Sequence, residues 1–167
     1  MKKFIFEIIF IIAGCFLTES INSGYMDTGM TYEKWAQIGK EIQVNKEVQR
    51  ICATIKHIES GGNYYLYGAS GEIGAYQWMI KTWMTLCNRY VGRYLEPIPE
   101  NQEFIAYNEI KSLVNAGYSV KQIASIWNCG SPSWYKHIGV NPWGVTYDTP
   151  SYVKMFYSYY LSLNEIN

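Results

Sequence analysis

The chain has 167 residues, 49% hydrophobic and 17% charged, which excludes a disordered polymer and suits one domain with a real core. Lysine plus arginine and aspartate plus glutamate number 14 each, so there is no net charge and none of the basic footprint that marks a nucleic-acid binder. Sixteen Tyr, six Trp and six Phe serve either a tyrosine-heavy core and surface or an aromatic cleft for a flat, amphipathic ligand.

The N-terminus has the pattern of an export signal. Lys2 and Lys3 precede an apolar run from Phe4 to Leu17, interrupted by Glu7, which is short for a membrane span and right for the apolar part of a signal peptide. The segment "IAGC", Ile12 to Cys15, resembles a bacterial lipobox, in which the cysteine becomes a lipidated first residue. That resemblance implies a signal peptide over residues 1–15 and a membrane tether at Cys15; the rival readings are ordinary cleavage a few residues later and an uncleaved anchor. Residues 16–30, "FLTESINSGYMDTGM", are polar and irregular and read as a linker, leaving residues 31–167 as the folded domain.

From Thr31 the pattern is helical. Trp35, Ile38 and Ile42 share helical spacing, and Asn45 is placed to cap a second helix bearing Val48, Ile51, Cys52, Ile55 and Ile58. Glu59 continues the 48-52-55 series, and Gly61 and Gly62 stop the helix. Residues 63–77, with glycines at 68, 71 and 74, suit a long loop or a small irregular hairpin. Residues 78–90 are helical again, "EPIPEN" breaks the chain, and residues 102–116 place Ala106, Ile110, Leu113 and Val114 on one face before Gly117. Ser119 and Gln122 have capping-box spacing. Residues 129–149 form a loop region, after which Thr149 is placed to cap a last helix with Pro150 in its first turn and Tyr152, Phe156, Tyr159 and Leu163 on one face. The expected architecture is mainly α, with about six helices.

Three further cysteines, Cys52, Cys87 and Cys129, lack a CxxC pair, and His57 and His137 are the only histidines, so no structural zinc site is expected. The cysteines are read either as one disulfide and one thiol or as three free, packed thiols.

Glu59 draws the eye because a carboxylate on the inward face of a helix end is pushed twice toward its neutral form. Burial disfavours the charge, and the helix C-terminus carries negative partial charge. A carboxyl that stays protonated near neutral pH is what a general acid needs. The bland reading is a surface glutamate at a frayed helix end.

The residues that follow add weight to the first reading. "ESGG", then "GAYQ" at 74–77, then "MIKTW" at 79–83, then "ASIWNCG" at 124–130, then "TPSYV" at 149–153 stand in the order of motifs in the lytic transglycosylase (SLT) family, of goose-type-lysozyme-like fold, which the chain resembles over roughly residues 32–163. Ala75, Tyr76 and Trp127 stand where the family usually has Leu, Met and Tyr, which bears on how saccharide is contacted; the "AYN" at 106–108 lies too early and lacks the glycine.

The resemblance implies a lysozyme-like single domain with a loop or hairpin insertion beside the cleft. It implies cleavage of the β-1,4 bond between N-acetylmuramic acid and N-acetylglucosamine in peptidoglycan, with 1,6-anhydro ends formed. Glu59 would be the general acid and base, Ser60, Tyr76, Gln77 and Asn128 would meet substrate, and Tyr152 would point its hydroxyl at Glu59. No metal and no cofactor is implied. The expected partner is a peptidoglycan strand, without nucleic acid. The expected setting is a monomer exported to the periplasm or cell envelope, serving either alone or in an envelope-spanning secretion or conjugation assembly. Two alternatives stand beside this. A muramidase needs a second carboxylate to activate water. The aspartates are Asp27 in the linker and Asp148 in the late loop, and Glu72 falls in the "SGEIG" loop, read as a solvated turn residue. A non-catalytic glycan-binding subunit has no need of Glu59.

Overall fold

The computed structural model describes residues 32–133, 137–140 and 146–163; the signal peptide, the lipobox cysteine Cys15 and the linker lie outside them. The elements run α1 (Tyr32–Ser60), β1 (Glu72–Ile73), β2 (Trp78–Met79), α2 (Ile80–Val91), α3 (Pro99–Asn115), α4 (Val120–Cys129), β3 (Ile138–Val140), β4 (Thr146–Asp148) and α5 (Thr149–Ser162). The fold is mainly α. Contacts divide into two compact units, one ending at Lys40 and one beginning at Glu41. None of the described helices is long and apolar enough to cross a membrane.

Five helices stand among the described residues because the first two expected segments are one. Asn45 does not cap a helix. It lies inside α1, and its side-chain oxygen accepts a hydrogen bond from the Tyr107 hydroxyl at 2.6 Å. Nothing between Tyr32 and Ser60 is a proline, and one glycine, Gly39, costs a helix only about 1 kcal/mol, too little to end it.

The core of the second unit forms around the inward stripe of α1. Val48, Ile51, Cys52 and Ile55 are buried, and against them lie Trp83 of α2, Ile105 and Ile110 of α3, Ile123 of α4, and Val153 and Phe156 of α5. On α5 the buried face runs Thr149, Val153, Phe156 and Tyr160. Tyr152 and Tyr159 flank it, half-buried, one turn-step from where their spacing alone would put them. Cys52, Cys87 and Cys129 are free thiols, and burial pushes the Cys52 thiol up to about 12, so it packs as an apolar group.

Local signals place several boundaries. Ser119 and Gln122 form the capping box of α4. Gly92 and Gly130 end α2 and α4 in the left-handed conformation that glycine adopts without strain. At α5 the capping residue is Asp148 rather than Thr149: its carboxylate accepts from the Ser151 amide at 3.0 Å and the Ser151 hydroxyl at 2.7 Å. An ionised acid at a helix N-terminus is favoured by the dipole as well as by the bonds. Thr149 is the first helical residue and is buried.

Residues 63–79 form a small antiparallel hairpin, with Glu72 opposite Met79 and Ile73 opposite Trp78, and with Tyr67 bridged to Ile73. So short a hairpin needs anchoring. Gln102, on α3 and 1% exposed, provides it. Its side-chain oxygen accepts from the Ala75 amide at 2.8 Å, and its nitrogen donates to the Tyr64 carbonyl at 3.0 Å and to the Pro97 carbonyl. Gly74 has φ +75°, and a Cβ there would stand 2.2 Å from the Gln102 oxygen, so glycine is required twice over. Beside this peg, Glu103 accepts from Lys56 at 2.7 Å, Tyr64 at 2.5 Å and Tyr76 at 3.0 Å, joining α1, the hairpin and α3. Burial alone would raise the Glu103 carboxyl; the Lys56 ammonium and the Tyr64 hydroxyl outweigh it and hold the group below the usual carboxylate range.

Replacing Gln102 by alanine strands the Ala75 amide and the Tyr64 carbonyl without partners. The expected loss, at about 1–3 kcal/mol per buried unsatisfied group, is read as a lower midpoint in urea denaturation. A variant as stable as the parent would show that the hairpin is held by something else.

Candidate active site

Glu59 is the second-last residue of α1, where the inward stripe runs out. The helix then stops sharply. Gly61 and Gly62 have φ +64° and +86°, and their amides bond back to the His57 and Lys56 carbonyls at 3.0 Å each. Ser60 does not face the cleft. Its hydroxyl donates to the Ala75 carbonyl at 2.8 Å and accepts from the Gly62 amide at 3.1 Å, stapling the helix end to the hairpin. With the chain pinned on both sides, the Glu59 side chain is held in the lining of an open cleft of about 730 Å3.

The carboxyl is half-buried, and its Oε1 accepts a hydrogen bond from the Tyr152 hydroxyl at 2.6 Å. Burial raises the Glu59 pKa, the Tyr152 bond opposes the rise, and the charge of Glu72 adds to it. Tyr152 in turn is held well above an ordinary phenol by burial and by Glu59, so it is a neutral donor. Its position follows from the α4–α5 junction: Thr149 donates its hydroxyl to the Asn128 side-chain oxygen at 2.7 Å, which locks the end of α4 to the first turn of α5. Asn128 also lines the cleft.

Gln77 lines the same cleft and has φ +49°, the one non-glycine residue at positive φ among those described. That conformation costs on the order of 1–2 kcal/mol and is held by the side chain, whose nitrogen donates to the Gly74 carbonyl at 2.8 Å. Gly68 explains how the wall closes: a Cβ there would stand 2.3 Å from Glu72 Oε2 and 2.6 Å from Gln77 Oε1. Only a glycine lets both side chains lie over that turn.

Expectations for Tyr76, Ala75, Glu72 and Asp148 change as well. Tyr76 is fully buried, its hydroxyl on Glu103 and its ring stacked on Trp78 at 5.0 Å, so it supports the cleft from behind and cannot touch a ligand. Ala75 is likewise buried. Glu72 is not a solvated turn residue. It opens β1, is half-buried, accepts from the Ser70 amide at 2.9 Å and lines the cleft with Glu59. Asp148 is fully engaged as a helix cap, its carboxyl held low by the Ser151 hydroxyl and amide, and it is not among the cleft-lining residues.

Trp127, expected where saccharide is contacted, lines the cleft. Trp78, not singled out from the sequence, lines it too, 5.4 Å from Trp127 between ring centroids, and the two form an aromatic wall; the tryptophan content was the available signal. Glu109 of α3 also lines the cleft, its carboxylate paired with Arg89 at 2.7 Å and Tyr90 at 2.6 Å. Among the described residues no three His, Cys, Asp or Glu side chains converge to hold a metal ion.

Chemically, the cleft offers one carboxyl biased toward protonation, a neutral phenol hydrogen-bonded to it, two carboxamides and an indole wall. The bias has a stability consequence. Glu59 binds its proton more tightly folded than unfolded, so folding is undiminished below the ordinary value of 4.5 and loses stability as pH rises from there through the folded pKa. Glu59→Gln removes that penalty while keeping an oxygen for Tyr152. The variant is expected to denature at higher urea than the parent at pH 7, with the advantage vanishing below about pH 4.5. An equal deficit at both pH values would contradict the shift.

Comparison of the chain with protein-family models, with curated proteins and with solved structures finds no match.

Proposed function

We propose that the chain is a peptidoglycan lytic transglycosylase of lysozyme-like fold that cleaves the bond between N-acetylmuramic acid and N-acetylglucosamine. The observation that carries the proposal is Glu59: a carboxyl with a raised pKa, hydrogen-bonded by Tyr152 and lining an open, aromatic-walled cleft. The ordered motifs around Glu59, Gln77, Asn128 and Tyr152 support the same reading. In this proposal Glu59 gives its proton to the glycosidic oxygen as the C1–O bond breaks, and the sugar's N-acetyl group stabilises the cation-like C1. The carboxylate then takes the proton of the C6 hydroxyl, whose oxygen closes on C1. Glu59 ends protonated as it began, and no water is consumed. Export to the cell envelope, a tether at Cys15 and service to an envelope-spanning assembly belong to the same proposal.

One observation favours a second reading. Glu72 lines the cleft and its charge reaches Glu59, so a muramidase in which Glu72 activates water has a carboxylate in place. Substitution separates the two. Glu59→Gln is expected to lower release of soluble fragments from purified sacculi by roughly 100-fold or more in either case. A near-wild-type rate would remove Glu59 from the chemistry, and a protein that pellets with sacculi but releases nothing would be a binder. For the transglycosylase, Glu72→Gln costs within about tenfold, and the products of the parent carry anhydro ends. For the muramidase the same change costs ~100-fold or more, and the ends are reducing.

The transglycosylase reading also fixes the direction of two pH shifts. Glu72→Gln removes a charge that raises Glu59, so the alkaline limb of the pH–rate profile moves to lower pH. Tyr152→Phe removes a bond that lowers Glu59, so that limb moves to higher pH. Shifts in the opposite directions would count against the assignment.

A further inference from the structure

We infer that the outward face of the segment Asn63–Tyr67 is a second saccharide-holding surface, outside the cleft, for the neutral sugar rings of the same glycan strand; the inference rests on the glycan reading above. Tyr65 and Tyr67 are each 75% exposed, more than any other large hydrophobic side chain among the described residues. They alternate with residues that turn inward: Tyr64 donates its hydroxyl to Glu103, and Leu66 is half-buried. Tyr65 lies in a turn closed by the Leu66 amide on the Asn63 carbonyl, Tyr67 is bridged to Ile73, and the two tyrosines line one hollow. Exposed rings that bury so little do nothing for the core, and a patch of them marks a binding surface.

The chemistry of the surface selects the ligand. Residues 61–71 contain no charged side chain, so the segment offers no complement to an acidic or basic partner. Tyrosine presents an apolar ring face with a polar edge, at low cost in conformational entropy, which fits rings that carry both C–H faces and hydroxyls. Beside the rings lies a hollow of about 60 Å3, lined by Tyr65, Tyr67, Ile73, Pro97 and Gln102. That is roughly the liquid volume of two waters, room for a small acyl substituent on a sugar.

Position supplies the link to the cleft. Gly68, Ala69 and Ser70, which follow Tyr67 directly, line the cleft wall. A strand leaving the cleft over this wall meets Tyr67 next. The platform is rigid because Gln102 and Glu103 fasten the segment to α3.

The test uses the full chain with Tyr65→Ala and Tyr67→Ala together, a change at exposed rings that leaves the core intact. Binding is measured by sedimentation with purified sacculi, and turnover is measured on short soluble glycan oligosaccharides that fill only the cleft. The apparent Kd for sacculi is expected to rise about tenfold or more, with short-oligosaccharide turnover within about twofold of the parent. Unchanged sedimentation would overturn the proposal, as would an equal loss on both substrates or a parent protein that does not sediment at all. A parent that sediments but releases nothing would remove the catalytic reading, while a Kd that still rises in the double variant would uphold this one.

Discussion

The 2.6 Å hydrogen bond between Tyr152 and Glu59 sets the requirements that the rest of the unit meets. It joins α5 to the last turn of α1, and it holds a carboxyl half inside the protein, where a charge is costly. A carboxylate so placed would move to water if it were free to. Three devices deny it that freedom. The glycine pair ends α1 immediately after it, the Ser60 hydroxyl fastens the helix end to the Ala75 carbonyl, and the Asn128–Thr149 bond fixes the turn that carries Tyr152. The first acts within α1 and the other two join different elements, so the position of one carboxyl depends on α1, the hairpin, α4 and α5 together.

The opposite wall is held by a second set of polar contacts with a different character. Gln102 and Glu103 are neighbours on α3, and between them they bind three backbone groups, one ammonium and two phenols. A satisfied network of this kind defines one arrangement of the hairpin, because any other leaves buried polar groups unpaired. The wall then presents Gln77 and Glu72 over Gly68, in a backbone conformation that Gln77 would not choose by itself. Strain at a cleft wall, held by contacts behind it, is how a site keeps side chains aimed without a ligand present.

Local chemistry made much of this legible in the sequence. The stripe from Val48 to Glu59, the glycine stop, the capping box at Ser119 and the hairpin among the glycines of residues 63–77 all follow from rules that act within a few residues. The pairing of Tyr152 with Glu59, 93 residues apart, was legible only through the family resemblance. The readings that changed involve partners distant in sequence. Asn45 looked like a cap but answers Tyr107, 62 residues on. Tyr76 looked like a cleft residue but belongs to Glu103 and Trp78, behind the wall. Glu72 looked like a turn residue in a glycine-bearing loop, and only the folding of that loop against Gln77 brings it into the cleft. Gln102 carried no local signal at all: one polar residue in a helix is unremarkable until three backbone groups converge on it.

The central claim is that burial and its neighbour's charge raise the pH at which Glu59 ionises above that of an ordinary glutamic acid. Its side-chain carboxyl carbon can be followed by NMR in the 13C-glutamate-labelled protein, with Glu59→Gln identifying the signal. The account predicts a midpoint above the ordinary value of 4.5, moving higher still in Tyr152→Phe. A midpoint at or below that value in the parent would mean that Glu59 ionises no later than an ordinary glutamic acid and would contradict the account.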